Sequence, residues 1–122
     1  NLRYVSVEYE YSITSGVLTF TKVFGGRSRK KILEVALKDA ILIAPLDDER
    51  ARAAAERYHP EREFHAISSL SSPDVYFILF EYENKKEKEN RRGILYFEAT
   101  EKALSICRFY NKSATTVRET RY

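Results

Sequence analysis

Residues 3–24 read R-Y-V-S-V-E-Y-E-Y-S-I-T-S-G-V-L-T-F-T-K-V-F, and this stretch decides the fold class. Over residues 3–13, apolar or aromatic residues alternate with polar ones, a period that is typical of a half-buried strand. Gly16 follows in a short turn, where its freedom to take positive φ suits a tight hairpin. A second strand is predicted over residues 17–24, so the chain opens with an antiparallel hairpin.

Further strands are predicted downstream. Alternation resumes over residues 32–43 with an interruption at Lys38-Asp39, where we expect a bend that curls the sheet. The other predicted strands cover residues 63–69, 75–84 and 93–99. The segment V-Y-F-I-L-F within the second of these is the most apolar run of the chain, which predicts the centre of a sheet. Residues 84–92 are almost wholly charged and indicate a solvated hairpin tip.

Two helices complete the predicted elements. The first begins at the acidic residues 47–49, because carboxylates cap free backbone N–H groups and favour a helix N-terminus. It runs to Tyr58, before His59-Pro60. The second helix begins after Thr100 and is predicted over residues 103–117. Its apolar residues recur at helical spacing and should cover the open mouth of the sheet: Ala103, Cys107, Tyr110, Ala114 and Val117.

These patterns predict a mainly β fold of the α+β type. We expect a curled, mostly antiparallel sheet or partly open barrel of six to seven strands, capped by a C-terminal amphipathic helix, with a short inserted helix near residues 47–58. The alternative is an open α+β sandwich with both helices on one sheet face. A length of 122 residues suits one soluble domain over residues 1–122. The chain has no methionine and begins at Asn1, so we expect it to be excised from a longer chain.

Composition argues against several classes of function. The chain has 21 basic and 18 acidic residues, and a net charge of +3 is too slight and too mixed for nucleic-acid binding. No apolar run approaches the ~20 residues of a membrane span. The single cysteine, Cys107, excludes an internal disulfide framework. Its position on the apolar stripe predicts a buried, unreactive thiol.

Catalytic and metal-binding patterns are missing from the sequence. His59 and His65 lie near two glutamates, but their spacing matches no zinc motif, so we expect a polar connection there. The serines around residue 70 lack a nucleophile elbow. Glu8 and Glu10 share the polar face of the first strand and indicate solvent-facing residues. We therefore predict no enzyme activity, no catalytic residue, no cofactor and no metal.

One candidate binding site remains, in the turn after Gly25-Gly26. It contains four cations within five residues: Arg27, Arg29, Lys30 and Lys31. A basic loop at the rim of a small barrel could hold an anionic lipid headgroup or a phosphorylated partner. The simpler interpretation is a solvated turn that protects the sheet edges.

The opening hairpin and the basic turn resemble a known family. Residues 9–18, Y-E-Y-S-I-T-S-G-V-L, are followed by R-S-R-K-K at residues 27–31. This order resembles an uncharacterised, membrane-anchored family of Gram-positive anaerobes, in which Y-E-Y-x-[IV]-T-x-G-x-L and a basic turn follow one or two membrane helices. The order of elements also resembles a pleckstrin-homology-like (PH-like) domain. The resemblance implies a soluble domain on the cytoplasmic face of a membrane, with the tether outside this sequence.

Two functions stay open at this point. The first is a non-catalytic interaction or scaffold domain with a protein partner. The second is a sensor for a lipid headgroup or small ligand that uses the barrel mouth and the basic loop at residues 27–31. The expected partner is accordingly a protein or an anionic lipid surface, and no nucleic acid.

Overall fold

In a computed structural model of the chain, which describes residues 6–68 and 70–116, seven strands form two sheets and two α-helices pack beside them. The strands are β1 (Val7–Thr14), β2 (Val17–Phe24), β3 (Ser28–Ala36), β4 (Leu42–Pro45), β5 (Arg62–Ala66), β6 (Val75–Asn84) and β7 (Glu89–Glu98). The helices are α1 (Glu49–Tyr58) and α2 (Glu101–Tyr110). This arrangement confirms the predicted mainly β fold with an inserted helix and a C-terminal helix.

The first sheet has the order β1-β2-β3 and is antiparallel throughout. Ser15 and Gly16 have φ values of 51° and 77°, the positive values that a two-residue hairpin turn requires, so the predicted hairpin is confirmed. A β-bulge interrupts the β2–β3 pairing. Phe20 pairs with Leu33, whereas the next residue of β2 pairs with Lys31, which leaves Ile32 as the extra residue.

The second sheet has the order β4-β6-β7-β5. The six residues Val75 to Phe80 of β6 are all buried, which confirms that this apolar run lies at the centre of a sheet. The pairing of β5 with β7 is parallel, the one exception to antiparallel pairing among the described strands. The hairpin tip predicted over residues 84–92 is shorter than expected, because β7 already begins at Glu89. Ion pairs from Arg91 to glutamates on both sides hold these charged residues in the strand.

A single 3₁₀ turn, Leu37–Asp39, joins the two sheets at the bend predicted near Lys38-Asp39. The main core cluster lies between the sheets and draws on both of them and on α2: Leu18, Phe20, Val35, Tyr76, Ile78, Leu95, Phe97 and Cys107. Among the described residues, no backbone pairing joins β1 to β5 or β3 to β4, so the sheets do not close into a continuous barrel. Instead, the Tyr11 hydroxyl donates to the Glu98 carbonyl oxygen at 2.6 Å.

Helix α1 packs on the other face of the second sheet, against Phe77, Leu79 and Ile94. Its N-terminus is capped as predicted, since the Asp48 side chain accepts from the backbone N–H of Ala51 at 3.0 Å.

Helix α2 begins as predicted and ends early. The Thr100 hydroxyl accepts from the Ala103 N–H at 3.1 Å. The prediction of a helix to residue 117 is wrong, because α2 ends at Tyr110 and Asn111 leaves the helical conformation. The Asn111 side-chain amide lies 2.9–3.2 Å from three carbonyl oxygens of the 3₁₀ connection, those of Leu37, Lys38 and Ala40. These contacts stabilise the helix end against the connection between the sheets.

After α2 the chain runs alongside β4. The Ile43 N–H donates to the Ala114 carbonyl at 2.8 Å, and the Thr116 N–H donates to the Ile43 carbonyl at 2.7 Å. This segment covers the outer edge of β4, which would otherwise present unpaired groups. Val117 lies outside the described residues. Neither described helix has the length and apolar character that crossing a membrane requires.

Candidate functional site

The four cations predicted to share one loop occupy two kinds of position. The turn contains Gly25 to Arg27, and β3 already begins at Ser28. Arg29, Lys30 and Lys31 are therefore strand residues, and their side chains alternate between the faces of the first sheet. The pairing of Lys30 with Lys22 places it on the inner face, defined as the face that contains Leu18 and Phe20. The expected basic loop is thus divided by the strand.

Two of these cations have carboxylate partners on the outer face. Arg29 forms an ion pair with Glu10, and Lys31 forms one with Glu34. Both pairs are solvent-exposed, as predicted for Glu10, so each contributes little to stability. Arg27 and Lys30 form no ion pair with the described residues. Anion binding by this segment stays a prediction.

A cleft of about 430 Å³ opens between the first sheet and β5, and we refer to it as the β1–β5 cleft. It is lined by Tyr9, Phe20, Lys22, Ile32, Arg62, Glu63, Phe64 and His65. The two strands beside it are edge strands, since among the described strands β1 is bonded only to β2 and β5 only to β7. They contact each other, but no backbone hydrogen bond joins them in the described parts of the chain. The cleft therefore lies where two unpaired strand edges meet.

Aromatic rings form the floor of the β1–β5 cleft. Tyr9 stacks on Phe20 with ring centroids 5.4 Å apart, and Phe64 meets Phe20 edge-on at 5.6 Å. Phe20 and Phe64 are buried, whereas Tyr9 is 45% exposed and Ile32 is 37% exposed. The prediction that one face of β1 is buried is confirmed for Tyr11 and Ile13, which pack on the core. It is wrong for Tyr9, which is exposed. The first sheet extends beyond the five-residue β5, so its outer end is left uncovered.

Two cations occupy inward-facing positions in this cleft. Lys22 follows Phe20 by two residues and Arg62 precedes Phe64 by two, so the period of a strand places each on the same face as its buried neighbour. The Lys22 ammonium lies 4.7 Å from the ring centroid of Phe24, and the Arg62 guanidinium lies 5.0 Å from that of Phe64. Such cation–π contacts position both charges without neutralising them.

These two cations lack carboxylate partners within the described residues. The acidic residue of the cleft, Glu63, instead lies 3.2 Å from His65 Nε2. Lys30 adds a third charge, because it is paired with Lys22 across β2 and β3. Lys22 and Arg62 were not among the predicted site residues. Each lies two residues from a phenylalanine in a strand, and this spacing indicates that both share a face with a buried ring.

The residues considered for chemistry do not assemble into a reactive site. His59 ends α1 in the left-handed conformation, with φ 54°, and His65 contacts Tyr96 with ring centroids 4.8 Å apart. No group of three or more His, Cys, Asp or Glu in residues 6–68 and 70–116 is arranged to hold a metal ion. Cys107 is fully buried, which confirms its predicted place in the core, and burial raises the pKa of its thiol to about 11.

Comparison with known proteins gives one match. A family model described as a bacterial PH-like domain (DUF6106) matches residues 1–116, which is nearly the whole chain. Neither a curated protein nor a solved structure matches the chain.

Proposed function

The chain belongs to the bacterial PH-like domain family DUF6106, whose function is unknown, and we propose that it is a non-catalytic interaction domain that holds a protein partner at the β1–β5 cleft. One observation carries this proposal: within the described residues, β1 and β5 leave their facing edges unpaired beside the exposed side chains of Tyr9 and Ile32. Unpaired strand edges are templates for pairing with another chain, and sheets that lack a partner usually protect them.

The protection of the other edges supports this choice. The edge of β4 is covered by residues 114–116, and the edge strand β3 carries three consecutive charged residues, Arg29, Lys30 and Lys31, which disfavour pairing with another chain. By contrast, β1 presents Val7 and Tyr9, which are both apolar and exposed. An exposed apolar edge of this kind favours association.

Site-specific photo-crosslinking in the source cells tests the proposal. A benzophenone amino acid in place of Tyr9 should give discrete adducts with another protein, since this side chain lies in the cleft. The matched control is the same substitution at Lys86, which lies in the exposed turn between β6 and β7. Identical adduct patterns at both positions would contradict the proposal.

We also propose that the domain lies on the cytoplasmic face of a membrane, tethered by a part of the protein outside this sequence. The support is the resemblance of residues 9–18 and 27–31 to membrane-anchored proteins of Gram-positive anaerobes. The test is fractionation of the full-length protein, followed by protease treatment of intact protoplasts. We expect the domain in the membrane fraction and protected from protease. Recovery in the soluble fraction would end this part of the proposal.

A sensor for anionic headgroups is the second candidate. Its support is that Arg27 and Lys30 form no ion pair with the described residues, so their charges stay available. Co-sedimentation with vesicles, with and without phosphatidylglycerol, separates the two functions. An interaction domain should bind both vesicles equally weakly, and replacing Arg27 and Lys30 with glutamate should change nothing. Binding to anionic vesicles that disappears with this reversal would favour the sensor.

A further inference from the structure

We propose that the β1–β5 cleft binds an acidic segment of a partner protein in an extended conformation. This inference rests on the proposed function and specifies the chemistry of the partner. Its basis is the combination of uncompensated positive charge, an aromatic floor and two unpaired strand edges at one place.

The positive charge of the cleft is distinguished by its position, because two cations face inward beside aromatic rings. Arg29, Lys31, Arg91 and Arg92 have carboxylate partners, whereas most other described cations, which lie on the open surface, have none. Within the cleft, Lys22 and Arg62 face inward and have no carboxylate partner among the described residues. A ligand that supplies carboxylates would neutralise these two inward-facing charges, and charge complementarity fixes both partner choice and orientation.

The aromatic floor favours a peptide over an isolated anion. Tyr9 and Ile32 expose apolar surface next to the two cations. A phosphate or headgroup has no apolar surface to cover these side chains, whereas a peptide covers them with its own aliphatic groups. The cleft is also concave and its deepest rings, Phe20 and Phe64, are buried, which does not suit a flat bilayer surface.

The strand edges define the conformation of the bound segment. β1 uses one edge to pair with β2, and its other edge faces the opening. An extended peptide can hydrogen-bond to this edge, as in β-strand addition. Residues at i and i+2 of such a peptide point to one face, so we expect two carboxylates or one carboxylate and one apolar residue at that spacing.

The probe is a library of randomised decapeptides displayed on phage and selected on the intact domain. We expect the selected sequences to be enriched in Asp and Glu next to apolar residues. Against the best synthetic peptide, Lys22→Gln and Arg62→Gln should each lower affinity roughly tenfold, as expected for removal of a charge-assisted contact. Raising the salt concentration should weaken binding of the native domain, because these charges are partly exposed.

Matched variants separate a binding role from a structural one. Lys22→Arg keeps the charge and should retain affinity. Lys85→Gln and Lys86→Gln remove the same charge from the exposed turn between β6 and β7, which does not line the cleft, and should have no effect. Thermal melts of all variants establish that each is folded.

Four outcomes would overturn the inference. They are the absence of any selected peptide, selection of neutral or basic peptides, equal affinity of Lys22→Gln and the native domain, and Lys22-dependent binding to phosphatidylglycerol vesicles that competes with the peptide. Crosslinks at Tyr9 without an acidic preference would remove this inference and leave the proposed function intact. The absence of both crosslinks and peptides would remove the two together.

Discussion

Gly93 leaves space that the ring of Phe80 occupies. The two residues lie opposite each other in the β6–β7 ladder, and a Cβ atom added at Gly93 would stand 2.6 Å from the Phe80 ring. Phe80 is buried and packs against Phe64, with ring centroids 6.0 Å apart. Through this contact, a glycine on β7 helps to position the aromatic floor of the cleft.

Gly93→Ala should therefore lower the free energy of unfolding by about 1–3 kcal/mol, the usual cost of overpacking a core. Chemical denaturation measures this cost. In a Phe80→Leu background the same substitution should cost less, because the smaller side chain relieves the clash. Strictly additive costs of the two changes would show that the ring is not the obstacle.

The Cys107 thiol makes stability dependent on pH. Burial raises its pKa from 9.0 to about 11, because the thiolate is poorly solvated in the core. Below pH 9 the thiol is protonated in both the folded and the unfolded chain, and its contribution to stability is fully present. As the pH rises from 9 to about 11, the unfolded chain loses its proton first, so this contribution is lost.

We expect the free energy of unfolding to fall more steeply over this pH range in the native protein than in Cys107→Ala, which has no thiol to titrate. Urea denaturation at several pH values gives both curves. Both curves are measured in a Tyr11→Phe background, because burial and the Cys107 charge together raise the pKa of Tyr11 and the titration of this tyrosine would not cancel. Parallel curves would mean that the thiol is not buried.

At the scale of an element, α2 has one face on the core and one in solvent. Ala103 and Cys107 are buried, and Leu104 packs partly against the main cluster. Tyr110 was predicted on the buried stripe and is 40% exposed, because the helix ends there. Its neighbour Phe109 is 82% exposed. Helix α2 therefore covers the core between the sheets through Ala103, Leu104 and Cys107.

Leu104→Ala should cost about 1–2 kcal/mol, below the ~2–5 kcal/mol of a fully buried leucine, because this side chain keeps some solvent contact. Phe109→Ala is the matched control on the same helix and should change stability by less than about 0.5 kcal/mol. Thermal or chemical melts of both variants test this. Unchanged stability of Leu104→Ala would show that α2 does not cap the sheets.

At the scale of the molecule, the two sheets share one core although they do not close. The main cluster combines Leu18 and Phe20 of the first sheet with Ile78 and Phe97 of the second. Contacts that span both sheets couple their stability, since neither sheet keeps its apolar face covered without the other. The opening at β1 and β5 is therefore a local gap in a single cooperative unit.

We expect one two-state unfolding transition. Far-UV circular dichroism, dominated by strands, and near-UV signals from the tyrosines should give the same midpoint. Leu18→Ala in the first sheet should lower both midpoints together. Separate transitions for the two probes would mean that the sheets unfold independently.

The sequence by itself determined most of the elements. Alternation marked β1 and β2, a continuous apolar run marked β6, the acidic residues 47–49 and Thr100 marked the helix starts, and Gly16 marked the hairpin turn. These signals are local, because they depend on periodicity and on backbone groups within a few residues. The mainly β class follows from them.

Tertiary structure alone decided how the elements meet and what they expose. Asn111 ends α2 through carbonyl groups more than 70 residues earlier in the chain, which no local pattern reveals. The bulge at Ile32 shifts the register of β3, so Lys30 faces inward where uninterrupted alternation from Leu33 would have placed Lys31. The cleft exists because β5 pairs with β7 and not with β1, and strand pairing is a long-range choice made by the packing of whole faces.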